Sequence, residues 1–336
     1  MKKILATLGP SSWHPEIIEK IVEQDVQLLR INLSHEPLEN IPDRIRMIQS
    51  CTDVPICLDS EGAQIRTCIM QDGETFYEKG STVKFNFNDD VCTADALSFT
   101  PKGIVQGFVV GDKLSVDFDM AQFEIVEIKD DHLVAKTLHS GVVGTNKAAT
   151  LFREITLNPI TEKDRAAFAI GLDMGVRNFA LSFAGSGEDV EAMRDIVGTD
   201  STIISKIESL RALSNLADII AASDELLIDR GDLSRQVPIE KIPFMQRRII
   251  SMAKLQGKPI YVATNCLESM RTNREPTRAE VNDIVSTLLM GSDGLVLAAE
   301  TTIGRHPVEA VQMVRKLINS TAKWTENTSL AEIMEM

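Results

Sequence analysis

No apolar run in the 336-residue sequence approaches the roughly 20 residues that a membrane-spanning helix needs, so a transmembrane segment is excluded. The opening residues MKKILATLGPSSW lack the longer apolar stretch and the small-residue cleavage site of a secretory signal, and a cytoplasmic protein is expected. Basic residues are in deficit, 35 Lys and Arg against 49 Asp and Glu, for a net charge of −14. Such a chain repels nucleic-acid backbones and anionic membranes unless basic residues cluster. No such patch occurs, and the one basic helix, EKIPFMQRRIISMAKLQ, reads as a solvated face. Neither nucleic acid nor a membrane is an expected partner. The cysteines at 51, 57, 68, 92 and 266 form no CxxC pair, which leaves a disulfide framework or a thiolate metal site without support. They read as small buried apolar residues.

What the sequence does contain is a repeated alternation. Apolar runs rich in Ile, Val and Leu recur at 3–9, 26–34, 55–60, 178–183, 202–208, 225–232, 259–264 and 294–300. Segments with helical apolar spacing stand between them, among them PEIIEKIVEQ, EKDRAAFAIGL, RAEVNDIVSTLLMG and PVEAVQMVRKLI. Strands buried on both faces and alternating with helices indicate a parallel α/β sheet. Eight such units point to a closed (β/α)₈ TIM barrel, with an open sheet as the alternative. One connection breaks the rhythm. Between Asp59 and Thr161, runs such as STVKFNFND, GFVVGDKLSVDFDMAQFEIVEI and HLVAKTLHS alternate and are split by turn residues. They read as a small inserted antiparallel β-barrel lid domain over 68–151, leaving 1–67 and 152–336 for the catalytic barrel. The insertion is either a lid that excludes water or a decoration.

Active sites of such barrels lie at the carboxyl ends of the strands, and the polar residues of this sequence gather there. Arg30, Asn32 and Ser34 follow the second strand, Asp59 and Ser60 the third, Lys206 and Glu208 end the fifth, and Asp232, Thr264 and Glu300 follow the sixth, seventh and eighth. Lys206 and Glu208 are two apart, so both face the barrel mouth. As an isolated pair they would read as a local ion pair. Together with Asp232, Glu208 supplies two hard oxygen ligands on adjacent strands, enough for a Mg²⁺ that takes further ligands from a phosphorylated substrate. Lys206 then places positive charge beside a transferring phosphoryl group, and Gly231 lets backbone N–H groups approach an anion.

The motifs LATLGPSS, LRINLSH, LDSEGAQIR, NPITEKD, SKIES, RGDL, GKPIYVATNCLESM, PTRAEVND and GSDGLVLAAETTIGRHPVEAV resemble, in order and spacing, the motif series of the pyruvate kinase family. The resemblance covers nearly the whole chain and implies a short form without that family's C-terminal allosteric domain. It implies transfer of phosphate from phosphoenolpyruvate to ADP through a metal-bound enolpyruvate, giving pyruvate and ATP. Glu208 and Asp232 match the family's Mg²⁺ (or Mn²⁺) ligands, and Lys206 the lysine that stabilises the phosphoryl group in flight. Asn32, Ser34, Asp59 and Ser60 match the K⁺ site. Arg30 and Arg66 match phosphate-contacting arginines. Thr264, with the backbone around Gly231 and Asp232, matches the site for the substrate carboxylate, while His35, Pro10 and Lys147 fall near nucleotide-binding positions.

The departures define the alternatives. Where DTKGPEIR is common this chain has Glu61, Ala63 and Gln64, and Gln64 leaves K⁺ dependence open. Asp229 replaces the alanine of VARGDLG, Gly185 replaces an arginine, Ala298 replaces a serine of the proton relay, and KAATLFR replaces KGVNLPG. Asp229 should weaken anion binding unless it is turned away or paired. The choice is among three: a short pyruvate kinase; a related phosphoenolpyruvate/pyruvate enolate enzyme with another acceptor or carbon-bond chemistry; or a catalytically dead binding protein. A homodimer through the barrel, by way of ATNCLESM and PTRAEVND, is expected.

Overall fold

Eight parallel strands close into a barrel in sequence order: β1 (Lys3–Leu8), β2 (Leu28–Asn32), β3 (Ile56–Asp59), β4 (Asn178–Leu181), β5 (Thr202–Ile207), β6 (Glu225–Asp229), β7 (Ile260–Ala263) and β8 (Gly294–Leu297). The computed structural model describes residues 2–335 except 63, 118, 119, 154 and 156. The substitution at Ala63 therefore lies outside the described residues. Contacts divide the chain into two units, 1–62 with 159–336, and 63–158.

Each barrel strand is buried on both faces, which is why its sequence is a continuous apolar run. Outward residues such as Ile4, Leu29, Ile31, Leu58, Phe179, Ile203, Leu226 and Ile228 pack against the helices in one large core. Inward residues Leu5, Leu28, Cys57, Ala180, Ile204, Leu227, Tyr261 and Val296 form a second, smaller cluster that plugs the barrel. Burying each of the larger ones contributes about 1.5–3 kcal/mol. At the amino ends of the strands, Lys3 pairs with Glu225 at 3.0 Å and the Tyr261 hydroxyl donates to the same carboxylate at 2.9 Å. Polar chemistry at that end supports stability; the opposite end carries the site.

The helices start where local chemistry favours it. Thr161 and Thr277 each accept from the backbone N–H three residues on, and Asp164 and Glu280 bond back to the capping residue. Prolines open the helices Pro15–Val22 and Pro307–Lys323. Two expected strands end early. The run at 225–232 turns at Asp229 into a single helical turn, Arg230–Leu233, and the run at 294–300 turns after Leu297 into Ala299–Thr302.

The 63–158 unit has its own core of Phe85, Phe99, Phe123 and Tyr77, whose rings meet edge to face. Its main sheet has eight strands, and the pairings are antiparallel except that Thr82–Asn86 runs parallel to Ala96–Leu97. A separate short parallel pair joins Ile69–Met70 to Val91–Cys92. Alternating hydrophobicity marks these strands but carries no information about their direction. All five cysteines are free, four of them buried. No helix among the described residues is long and apolar enough to cross a membrane.

Candidate active site

Along the inner face of the strands, every second residue leads from the apolar plug to a polar layer: Leu28 to Arg30 to Asn32, Cys57 to Asp59, Ala180 to Ser182, Ile204 to Lys206 to Glu208, and Leu227 to Asp229. The same pleat that fills the barrel thus lifts six ionisable or hydroxylated side chains into one buried cluster.

Lys206 is its centre. Its ammonium lies 3.3 Å from Glu208 Oε2, 3.7 Å from Asp59 Oδ1 and 3.8 Å from Asp229 Oδ2, and donates to Ser182 Oγ at 3.0 Å. Burial alone would strip the proton from this lysine, but Asp59, Glu208 and Asp229 outweigh it and hold its pKa above the usual lysine value. Arg30 balances Asp59 from the other side, with Nη1 3.0 Å from Asp59 Oδ2 and Nε donating to Thr7 Oγ1 at 2.9 Å.

Glu208 is fully buried. Its Oε1 accepts the backbone N–H of Phe183 at 2.6 Å, whereas Oε2 has the ion pair with Lys206 and no hydrogen-bond partner. Burial, and then repulsion from Asp232 and Asp229, raise its pKa to about 8 in spite of Lys206. Carboxylate oxygens of Glu208, Asp229 and Asp232 lie within 4.8 Å of one another. The two acids expected to share a metal are therefore brought together, and Asp229 joins them. Asp232 Oδ1 also lies 3.2 Å from Arg235 Nε.

Asp229 is not turned away, and the hydrogen bonds that hold it take up the donors of its own corner of the site. Its Oδ1 accepts the Thr264 hydroxyl at 2.7 Å and the amides of Gly231 and Asp232 at 3.1 and 3.4 Å. Burial pushes its carboxyl up, but Lys206, the Thr264 hydroxyl, Arg30 and the Asp232 amide together hold it below the usual carboxylate range. Gly231 has no room for a side chain, since a Cβ there would come within 2.7 Å of Thr264 Cγ2. Thr264 itself has φ +74°, Asn265 +55° and Phe183 +54°. Left-handed backbone is costly for residues with a Cβ and concentrates at functional sites.

The expected K⁺ donors occupy the adjoining ends of β2 and β3, where Asn32 and Asp59 are register partners. Asn32 Oδ1 accepts the Ser34 amide at 3.0 Å, and Ser60 Oγ accepts the Ser182 amide at 2.9 Å. Pro10 and His35 are exposed on the loops after β1 and β2. Arg66 and Lys147 belong to the 63–158 unit, where Arg66 Nη1 donates to the Asn146 carbonyl at 3.0 Å and Lys147 pairs with Asp117 at 2.8 Å. Glu300 serves the backbone instead of the pocket: its carboxylate accepts the amides of Leu267 at 2.8 Å and Ala298 at 3.0 Å, tying the loops after β7 and β8 together.

Ser182 and Thr7 carry no distinguishing signal in the sequence, yet both belong to the cluster. Ser182 donates to the Ser60 carbonyl at 2.7 Å, lies 3.3 Å from Asp59 Oδ1 and supports Lys206. Its position two residues beyond the inward Ala180 is the one clue available. At Gly185, where an arginine is usual, the side chain of Arg211 from the short helix Leu210–Ser214 lies across the glycine, its Cδ 2.8 Å from where a Cβ would be. Glu61 pairs with Lys163 at 2.9 Å.

The chain is similar to known proteins over most of its length. Residues 1–311 match the family described as pyruvate kinase, barrel domain. A pyruvate kinase of Mycobacterium tuberculosis is 33% identical over 334 residues, covering 95% of this chain and 71% of that protein. One from Mycobacterium intracellulare is 34% identical over the same length and shares, and one from Thermoplasma acidophilum is 34% identical over 320 residues, 94% of this chain and 57% of that protein.

Proposed function

The chain belongs to the pyruvate kinase family, and we infer that it transfers phosphate from phosphoenolpyruvate to ADP, giving pyruvate and ATP. The observation that carries this reading is the buried Lys206 ammonium set 3.3 Å from Glu208 beside three carboxylates whose oxygens lie within 4.8 Å of one another. A fixed cation next to a hard-oxygen cluster is what phosphoryl transfer requires, because the reaction needs charge and positioning more than covalent help.

Glu208 and Asp232 are the proposed holders of Mg²⁺ or Mn²⁺. A buried Glu208 oxygen without a hydrogen-bond donor fits that role. When bound, a divalent ion supplies positive charge and orientation for phosphate oxygens. Lys206, kept protonated by its three acidic neighbours, holds compensating charge at the same place. Thr264 and the Gly231 and Asp232 amides are the donors proposed for the substrate carboxylate, and Arg30 and Arg66 those for phosphate. Asn32, Ser34, Asp59 and Ser60 offer oxygens suited to K⁺. His35, Pro10 and Lys147 are proposed on the nucleotide side. A cytoplasmic location and a homodimer through the barrel are part of the proposal, the homodimer being checked by light scattering after size exclusion.

The test is ATP formation from phosphoenolpyruvate and ADP by the purified protein with Mg²⁺ and K⁺, read by a coupled assay. Absence of turnover under all divalent and monovalent ions tried would overturn the reading. A second reading, in which the enolate chemistry serves another acceptor, draws on Asp229 and Ala298. Phosphoenolpyruvate consumption that is fast with another acceptor and slow with ADP would favour it.

A further inference from the structure

Three donors converge at the junction of β6 and β7: the Thr264 hydroxyl and the backbone N–H groups of Gly231 and Asp232. All three already serve one acceptor, Asp229 Oδ1, at 2.7, 3.1 and 3.4 Å. They are also the three donors proposed for the carboxylate of phosphoenolpyruvate, and the role inferred for Asp229 rests on that reading. We propose that Asp229 is a specificity-determining residue, a built-in carboxylate that holds the substrate-carboxylate donors and makes phosphoenolpyruvate bind weakly.

The physical grounds are donor supply and charge. Each N–H, and the one hydroxyl proton, makes one good hydrogen bond. A substrate carboxylate entering this corner must take donors from Asp229 or share them at longer distance. It must also approach a fixed negative charge at hydrogen-bond range inside a buried site, where repulsion is weakly screened. The compensating cation nearest Asp229 is Lys206, at 3.8 Å from Oδ2, and it is shared with Asp59 and Glu208. Gly231 leaves no space between the donor loop and Thr264 for a side chain, since a Cβ there would meet Thr264 Cγ2 at 2.7 Å, and Thr264 has φ +74°. Two other roles make different demands. As a plain helix cap Asp229 would matter to stability alone. As a third metal ligand its loss would weaken metal binding.

The experiment measures KM and kcat for phosphoenolpyruvate at saturating Mg²⁺, K⁺ and ADP for the full chain, for Asp229→Ala and for Asp229→Asn. Calorimetric binding of oxalate in the presence of Mg²⁺, and of Mn²⁺ alone, accompanies it. Asp229→Ala is expected to lower KM and the oxalate Kd by roughly tenfold or more. Asp229→Asn, which keeps an acceptor and drops the charge, falls between, and in either variant Mn²⁺ affinity falls by a smaller factor than oxalate affinity rises. Should the alanine variant not fold, the asparagine variant carries the test. An unchanged or higher KM in the folded variants, or Mn²⁺ affinity lowered in step with them, overturns the inference while turnover by the unaltered protein leaves the proposed function standing. No turnover and no oxalate binding by any of the three overturns both.

Discussion

The backbone N–H of Phe183 donates to Glu208 Oε1 at 2.6 Å, and this holds the carboxylate with its other oxygen 3.3 Å from Lys206. Phe183 adopts φ +54° to present that amide, so the loop after β4 bears a strain cost to orient the residue that follows β5. Glu208→Gln keeps the shape and removes the charge. It is expected to abolish Mn²⁺ binding measured by electron paramagnetic resonance and to lower kcat about a thousandfold, equivalent to ~4 kcal/mol. Retained Mn²⁺ binding would show that Glu208 is not a ligand.

Protonation of Glu208 links metal, pH and stability. Its carboxyl, raised to about 8 in the folded protein, keeps a proton that the unfolded chain releases near 4.5, the ordinary value. Between those values the folded state binds more protons than the unfolded one, so the contribution to stability is full below 4.5 and is lost as pH rises through 8. Metal must displace that proton. Melting temperature without metal should fall from pH 5.5 to 8.5, by an amount that Glu208→Gln removes, and stabilisation by Mg²⁺ should grow over the same range, all pH values being approximate settings for a thermal scan. Mg²⁺ stabilisation that is flat with pH, or that shrinks, would contradict this.

Lys206 is the cation shared by three buried acids at 3.3 to 3.8 Å, of which Asp59 also faces Arg30 at 3.0 Å. Removing one partner of a buried ionic cluster leaves uncompensated charge, and Lys206→Met should lose about 3–5 kcal/mol of stability near neutral pH. Urea unfolding measures it directly. An unchanged midpoint would mean that Asp59, Glu208 and Asp229 are compensated elsewhere.

Much of this is legible in the sequence because strands impose a period of two. The spacing of Lys206 and Glu208 on β5, and the polar residues ending strand after strand, are enough to locate the barrel mouth. The role of Asp229 is half legible. Its charge stands out, but that it captures Thr264 depends on β6 and β7 meeting with Asp229 opposite Ala263. Ser182 is hidden because a serine at a strand end carries no signal until its neighbour Lys206 is placed. Glu300 misleads for a related reason, since a carboxylate that accepts two amides looks, in sequence, like one that faces the pocket.

Ser182 positions Lys206 without touching substrate in this scheme. Ser182→Ala should lower kcat about tenfold through a misplaced ammonium and cost about 1 kcal/mol of stability from the lost buried hydrogen bonds, with KM for ADP unchanged. Ser182→Thr, which restores the hydroxyl, should recover part of kcat. A fall in stability with kcat intact would assign Ser182 to packing alone.

Transfer of phosphate from phosphoenolpyruvate to ADP beside Lys206, Glu208 and Asp232 is open to direct observation. Phosphorus NMR of one sample containing both substrates, Mg²⁺, K⁺ and the protein reads it most directly. The phosphoenolpyruvate resonance is expected to decay as those of ATP rise, and Glu208→Gln to leave both nearly still. A phosphoenolpyruvate signal that persists with the unaltered protein, or ATP appearing equally fast with the variant, would contradict it.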